Sequence, residues 1–337
     1  MKLGILTGYN DWEMYIESCK ELKVDYTVVD ILSPDWIQNI KNVRDDVDGF
    51  LCRPPCGFQE HKNIYDERLF FIKEYFKKPL YPNFNSLYIY ENKRNMAAFL
   101  EYYNIPHAKT LVFIDKQSAM DFIKTATFPM VQKSNIGAGG SAVTIIRNKR
   151  HAKRIANKIF GLKGGLLSHG LSPVYKKFGI PVKLTGCSQR NYMMLQPFHK
   201  IKWEWRILKI GNSYFGHQKL LKGDKASGSG LVGWVRPPEK LLYMVKDICD
   251  KGCFDVMDVD IFETVGGEFL VNEIQAIFGS YLPYQMKIDG KPGRYVYSEK
   301  EGFVFEEGEF NRYGSKLLFV EDFINKLKMP SHTINRD

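Results

Sequence analysis

The sequence predicts an α/β chain of more than one domain, and three observations carry that expectation. Residues 1 to about 85 alternate short apolar strand patterns with amphipathic helical ones, as a parallel sheet with crossover helices requires. Downstream, "FPMVQKSNIGAGGSAVTII" and "DVDIFETVGGEFLVNEIQ" each read as two strands joined by a glycine-containing turn. The chain has 337 residues, 44% of them hydrophobic, which suits two or three globular cores.

Taken in order, "KLGILT" and "DYTVVDI" predict strands with a helix between them from about Asp11 to Leu22. "VDGFLCRPP" predicts a third strand that ends in prolines, with Arg53 at its carboxyl end, where parallel sheets bind ligands. Met96, Phe99, Leu100 and Tyr103 form the apolar stripe of a helix from about Tyr90, which Asn104 and Pro106 bring to a stop. A strand "KTLVFI", a helix "KQSAMDFIKTA", two strands around "SNIGAGGS" and a basic helix from about Lys149 to Phe160 follow. Next come "NYMMLQPF", "EWRILKIGNSYFGHQKLL", the loop "GDKASGSG", a helix from about Pro238 to Lys251, two strands flanking "TVGGE", and an amphipathic helix from about Lys316 to Lys328. The polar tail after Pro330 is expected to fray.

Composition narrows the function. No stretch approaches the roughly 20 apolar residues of a membrane span, and Thr7, Gly8 and Asp11 interrupt the amino-terminal run before a signal-peptide core forms. A cytoplasmic location is the expectation. The six cysteines include two CxxxC pairs without zinc-ribbon context, so reduced thiols are expected. Net charge is +10, and residues 171–240 hold 13 Lys and Arg against three acids, so the rest of the chain balances. That local field suits an anionic ligand. "GSGLVGWV" fits a dinucleotide fingerprint and a kinase glycine loop by spacing alone, but the strand, helix and catalytic-loop contexts are missing.

Three constellations carry chemistry. In the second hairpin, a two-residue Gly266-Gly267 turn sets Val265 opposite Glu268, which places Asp260 opposite Glu273 and Asp258 opposite Gln275 on one face. Facing carboxylates destabilise a sheet, and a divalent cation held by Asp260, Glu273 and the Gln275 amide oxygen removes the conflict; an all-oxygen set favours Mg2+ or Mn2+. In the first hairpin, Lys133 ends a strand, and Gly137, Gly139 and Gly140 free backbone N–H groups for phosphate oxygens. In the third, exposed backbone at Gln196, Pro197 and Phe198 can read an adenine edge, Glu204 can accept from ribose hydroxyls, and Arg206 can reach developing phosphate charge.

In this order the elements resemble the ATP-grasp superfamily, most of all the branch of glutathione synthetase and the ribosomal-protein-S6 glutamate ligases. The resemblance covers nearly the whole chain. It implies a three-part architecture: an α/β domain at 1–85, a smaller subdomain with a glycine-rich lid at 86–198, a larger one with the metal site at 199–330, then the tail 331–337. It implies Lys93, in "ENKRNMAAFLEYYNIPHAKT", as a nucleotide-contacting lysine, and Lys133 with Gly137–Ser141 as the second lysine and phosphate-covering loop. By the same resemblance Gln196 to Phe198 match the adenine hinge, Glu204 the ribose acid, Arg206 its adjacent arginine, and Asp260, Glu273 and Gln275 the metal ligands. Three departures stand out: Gln275 replaces the usual Asn, Asp258 stands where a small residue is common, and "GDKASGSG" lacks the usual Arg and Asn, leaving Lys225 to replace the Arg. The resemblance implies an ATP- and Mg2+-dependent carboxylate–amine ligase acting through an acyl phosphate. Small-molecule acid and amine partners, at least one of them anionic, are expected in place of nucleic acid or membrane, and a homodimer is compatible. A phosphotransferase acting on a hydroxyl, or a noncatalytic nucleotide-binding module, remains the alternative.

Overall fold

The computed structural model describes residues 1–8, 11–137, 143–161, 191–223, 225–226, 231–279 and 282–329, with backbone only at 222, 225 and 226. The chain opens with β1 (Lys2–Leu6), α1 (Met14–Glu21), β2 (Asp25–Val29), α2 (Trp36–Val43), β3 (Gly49–Leu51), α3 (Gln59–Phe71) with a π turn at Ile72–Phe76, and β4 (Leu80–Tyr81). These strands form one parallel sheet in the order β2-β1-β3-β4. Buried on both faces, they read as continuous apolar runs, such as Leu3, Ile5 and Leu6 in β1 and Phe50 and Leu51 in β3.

Two helices, α4 (Phe84–Ile89) and α5 (Lys93–Tyr102), lead out of this sheet. Asn92 caps α5 by accepting from the Asn95 N–H at 3.4 Å. A small antiparallel sheet follows, built from β5 (Leu111–Phe113), α6 (Lys116–Thr125), β6 (Met130–Lys133), β7 (Val143–Ile146), α7 (Lys149–Ile159) and β8 (Met193–Pro197), in the order β5-β8-β6-β7. It has its own core, with Ala119, Ile123, Met130, Ile146, Ala152, Met193 and Leu195 among its members. Met96, Leu100 and Ile105, around α5, belong instead to the larger core that joins the parallel sheet to the third sheet.

That third sheet positions the site. It contains β9 (Ile201–Ile210), β10 (Ser213–Lys219), then, beyond the β11 (Leu221–Lys222) and β12 (Lys225–Ala226) pair, β13 (Val232–Gly233), α8 (Glu239–Gly252), β14 (Val256–Thr264), β15 (Phe269–Gln275), β16 (Lys287–Ile288), β17 (Lys291–Ser298) and β18 (Gly302–Glu307), with α9 (Lys316–Lys328) last. Its strand order is β15-β14-β9-β10-β17-β16, with β13 on β10 and β18 on β17. The hairpin of β17 and β18 is not among the elements expected above, although its alternating "RYVYS" and "FVFEE" carry a strand pattern. No helix among the described residues is long and apolar enough to cross a membrane. The five described cysteines are free thiols, with Cys19, Cys52 and Cys249 buried; Cys187 lies outside the described residues.

The β14–β15 hairpin corrects the expected turn while keeping the expected pairs. Thr264 N–H donates to Glu268 O and Gly267 N–H to Thr264 O, so the loop spans three residues, Val265 to Gly267, with φ of 85° at Gly267. Near the turn Ile261 faces Val271 and Phe262 faces Leu270. A β-bulge between Asp260 and Ile261 then takes up Asn272 as the extra residue. Beyond it Asp260 faces Glu273 and Asp258 faces Gln275. The longer loop and the bulge offset each other by one residue.

Candidate active site

The site begins as a row across one face of the large sheet. In register, Glu273 of β15 faces Asp260 of β14, Asp260 faces Arg206 of β9, and Arg206 faces His217 of β10. Two residues along, Glu204 of β9 faces Lys219 of β10. Alternation puts all of these on one face. Glu204 is 2% exposed, Asp258 2%, Asp260 4% and Lys219 6%; charges this buried require partners.

Those partners are side chains. Arg206 grips Asp260 through two donors, Nε to Oδ1 and Nη2 to Oδ2, each at 3.0 Å, and its Nε lies 3.1 Å from Asp258 Oδ2. Lys219 Nζ sits 2.6 Å from Asp260 Oδ2 and also contacts Glu204 Oε1. Lys93 Nζ lies 2.8 Å from Glu273 Oε1 and 3.6 Å from Glu91 Oε2. In the structure the facing carboxylates Asp260 and Glu273 are offset by Arg206, Lys219 and Lys93. Among the described residues, no three Asp, Glu, His or Cys side chains converge as a ready cation cage.

Lys93 stands at the first position of α5, where the helix dipole disfavours a cation, so it depends on these carboxylates. Lys133, at the end of β6, donates to Asn272 Oδ1 at 2.7 Å, and Asn272 Nδ2 donates to Glu204 Oε2 at 2.7 Å. The bulge residue therefore links the small sheet to the large one. Gln275 Nε2 donates to Glu273 Oε1 at 2.6 Å, while its amide oxygen accepts the Glu91 N–H at 2.9 Å.

Electrostatics sort the groups by role. Burial alone would raise Asp260, but Arg206 and Lys219 win and hold it well below the carboxylate range. Burial likewise opposes Glu273, and Lys93 outweighs it, leaving Glu273 lowered. Asp258 is raised well above its ordinary value, by burial first and by Asp260 among its neighbours, despite Arg206. Its Oδ1 is buried without a hydrogen-bond partner. Burial pushes Lys133 down to about 8. Lys93 and Lys219 are raised, because Glu273 and Glu91, and Asp260 and Glu204, overcome the cost of burying them. Four cations (Lys93, Lys133, Arg206 and Lys219) thus stand among five carboxyl groups (Glu91, Glu204, Asp258, Asp260 and Glu273), of which Asp258 and Glu204 are raised by burial.

The remaining expected residues divide. Gly137 has φ of 145°, and its N–H is committed to Glu91 Oε2 at 2.8 Å while its carbonyl accepts from Lys93 Nζ at 3.2 Å. That corrects the expectation of a free amide there: a nearby carboxylate takes the N–H first. Gly139, Gly140 and Ser141 lie outside the described residues, as do residues 171–190 of the basic segment and the side chain of Lys225. At the expected hinge, Gln196 is buried and its Nε2 donates to Thr110 Oγ1 at 2.5 Å and to Ala108 O at 3.3 Å. Pro197 has no N–H, and Phe198 N–H donates to Pro129 O at 3.2 Å. The Phe198 N–H is therefore occupied, while Pro197 is exposed and Phe198 half-buried. Glu204 has both oxygens taken by Lys219 and Asn272. Arg53 lies outside this row, at the carboxyl end of β3, with Nη1 3.3 Å from Tyr90 Oη.

Glu91, Lys219, His217 and Asn272 were missed from sequence. Two of them were within reach. The two-residue Gly211-Asn212 turn, with φ of 53° at Gly211, pairs Arg206 with His217 and Glu204 with Lys219 by the alternation already used for the other hairpin. Asn272 was hidden because a bulge leaves no mark in a period-two pattern.

The donor set fits a hard divalent cation with nucleotide phosphates: carboxylate and amide oxygens share one face, Asp258 Oδ1 has no partner, and three buried lysines and the half-buried Arg206 stand beside them. No family model matches the chain. It is 23% identical over 161 residues to a phosphoribosylamine–glycine ligase of Fusobacterium nucleatum, a match covering 46% of this chain and only 33% of that protein. In structure it is similar to D-cycloserine synthetase, with a TM-score of 0.63, 13% identity and coverage of 97% of this chain and all of that one. It is similar also to the ADP complex of an N5-carboxyaminoimidazole ribonucleotide synthetase, at 0.60 and 15%, covering 88% and 81%. A RimK domain protein described as ATP-grasp, from Sphaerobacter thermophilus, aligns at 0.51 and 14%, covering 81% and 90%. The chain has the ATP-grasp fold.

Proposed function

We propose that this ATP-grasp chain is an ATP-dependent carboxylate–amine ligase, which activates an acid as its acyl phosphate and joins it to an amine. One observation carries the reading most: four cations and five carboxyl groups are packed with little exposure around the Glu273–Asp260–Arg206 row. Such a cluster adds little to stability, and replacing buried ion pairs by apolar residues is often neutral or stabilising. A dense set of perturbed groups in one place is the signature of chemistry. Neighbours of this fold include synthetases solved with ADP, which supports the nucleotide.

On this reading residues 86–198 and 199–330 are the two halves that hold the nucleotide, with Lys93 and Lys133 reaching it from one side and Arg206 and Lys219 from the other. Asp260, Glu273 and Gln275, with Asp258 beside them, would hold Mg2+ or Mn2+, which would supply charge neutralisation for the phosphates when bound. For that, Lys93 must turn from Glu273, and Lys219 from Asp260 and Glu204, toward the phosphates. The carboxylates hold the lysines beside the site beforehand, and once turned to the phosphates the lysines already face the charge that develops on transfer. Arg206, held by Asp260, is positioned for the same charge. No nucleophilic side chain is required, since the amine attacks the activated acid directly.

The test is phosphate release from ATP and Mg2+ with pooled amino acids, dicarboxylates and sugar acids, each with and without pooled amines. A ligase releases phosphate fastest where acid and amine are both present. Turnover indifferent to both pools, or covalent phosphorylation of a hydroxyl acceptor, would set the reading aside.

A further inference from the structure

The parallel sheet has a second concentration of buried charge that the ligase site does not use. Its strand order is β2-β1-β3-β4, so the chain leaves β1 toward one edge and β3 toward the other. The crevice past the carboxyl ends of β1 and β3 is the topological switch point, where sheets of this kind bind ligands. Arg53 lies two residues beyond β3, and Asp11 lies in the segment after β1. Arg53 is 8% exposed, and its Nε is buried without a hydrogen-bond partner. Its Nη2 lies 3.6 Å from Asp11 Oδ2, a carboxylate that is about half exposed.

Lys316, at the first turn of α9, closes the same region. It is 3% exposed, and its Nζ donates to Gly314 O at 3.2 Å. The ammonium also lies 5.9 Å from the Tyr15 ring centroid, and Tyr15 Oη donates to Cys52 O, next to Arg53. No carboxylate lies within ion-pair distance of Lys316 among the described residues. Burial, and then Arg53, push Lys316 down to about 7. Two buried cations thus share one half-exposed acid. An unpaired buried charge is costly, and an anion from solution would relieve both cations at once.

We propose that Arg53 and Lys316 form an oxyanion-binding site at the β1–β3 switch point, which takes a carboxylate or phosphate group of a small-molecule substrate. That the anion belongs to a substrate rests on the ligase reading; the anion site itself does not. The two sites adjoin through Tyr90-Glu91: Arg53 Nη1 bonds Tyr90 Oη, and Glu91 accepts from Gly137 N–H and pairs with Lys93. A substrate anchored by its anion at Arg53 would therefore lie beside the proposed phosphoryl-transfer groups. Arg supplies the planar fork and Lys the point charge that carboxylate and phosphate recognition use.

The test uses the full chain saturated with MgADP, titrated calorimetrically with inorganic phosphate and, separately, with succinate. At least one anion should bind, and Lys316→Met should weaken it about tenfold or more. The same variant should melt at a higher temperature than the parent, since it removes an unpaired buried charge, and should keep its ADP affinity. Arg53→Gln should weaken the same anion. Preference for phosphate would identify a phosphorylated substrate, and preference for succinate a carboxylate one. Absence of binding by either anion, unchanged binding in Lys316→Met, or binding lost in Lys133→Met but kept in Lys316→Met would overturn the proposal. If anion binding behaves as expected while no acid and amine support phosphate release, the ligase reading fails and the anion site stands.

Discussion

At the residue scale, the cluster makes its members unequal. Glu273 is the carboxylate that Lys93 and Gln275 both address, so Glu273→Ala should lower Mg2+-dependent ATP turnover by about 100-fold or more, with the fold retained because Glu91 still partners Lys93. Steady-state kinetics beside a melting curve separate the two effects, and unchanged turnover would remove Glu273 from the metal set. Asp258 behaves in the opposite sense. Its folded-state pKa is raised, so the folded chain holds a proton that the unfolded chain releases above its ordinary value, and stability falls as pH rises through that window. Asp258→Asn mimics the protonated form and should raise the melting temperature at neutral pH by a few degrees, about 1 kcal/mol for a chain this size. Lys133 loses its proton as pH rises through about 8. Nucleotide phosphates favour its charged form, so ADP affinity should fall as pH rises through that value, and Lys133→Met should bind ADP weakly with a flatter profile. Calorimetry on either side of pH 8 checks both.

At the scale of elements, the hairpin of β14 and β15 shows what a period-two reading captures and what it cannot. Asp260–Glu273 and Asp258–Gln275 were legible because strand alternation is strict, yet the turn was one residue longer than expected and Asn272 was absorbed by the bulge. Two offsets of one residue cancelled. Asn272→Ala should therefore cost more than a surface substitution. It strips Lys133 Nζ of its 2.7 Å acceptor and Glu204 Oε2 of its 2.7 Å donor, and leaving buried polar groups less satisfied costs about 1–3 kcal/mol. Urea unfolding of the variant measures this, and a change under about 0.5 kcal/mol would mean that the bridge is dispensable. Lys219 and His217 were equally legible from the Gly211-Asn212 turn, where the same alternation pairs them with Glu204 and Arg206. Glu91 was not. It acts from a turn with φ of 49° before α5, and no periodicity marks a carboxylate that folds back onto Gly137 and Lys93. At the expected hinge, strand pattern locates β8 but does not say that Phe198 N–H finds Pro129 O.

At the scale of the molecule, three sheets divide the work: a parallel sheet presenting Arg53, a small antiparallel sheet presenting Lys133, and a large one carrying Asp260, Glu273 and Arg206. The central claim is that this arrangement passes the γ-phosphoryl group of ATP to a carboxylate and then lets an amine displace it. Hydroxylamine tests that most directly, because it captures acyl phosphates as hydroxamates and leaves phosphate esters untouched. The chain is incubated with ATP, Mg2+ and the acid pool that best stimulates phosphate release, and the products are read by mass spectrometry. Hydroxamate formed with an equal amount of free phosphate, and lost in Arg206→Ala, is the result expected here. A stable phosphorylated product, with neither hydroxamate nor free phosphate, would contradict it and make the chain a phosphotransferase.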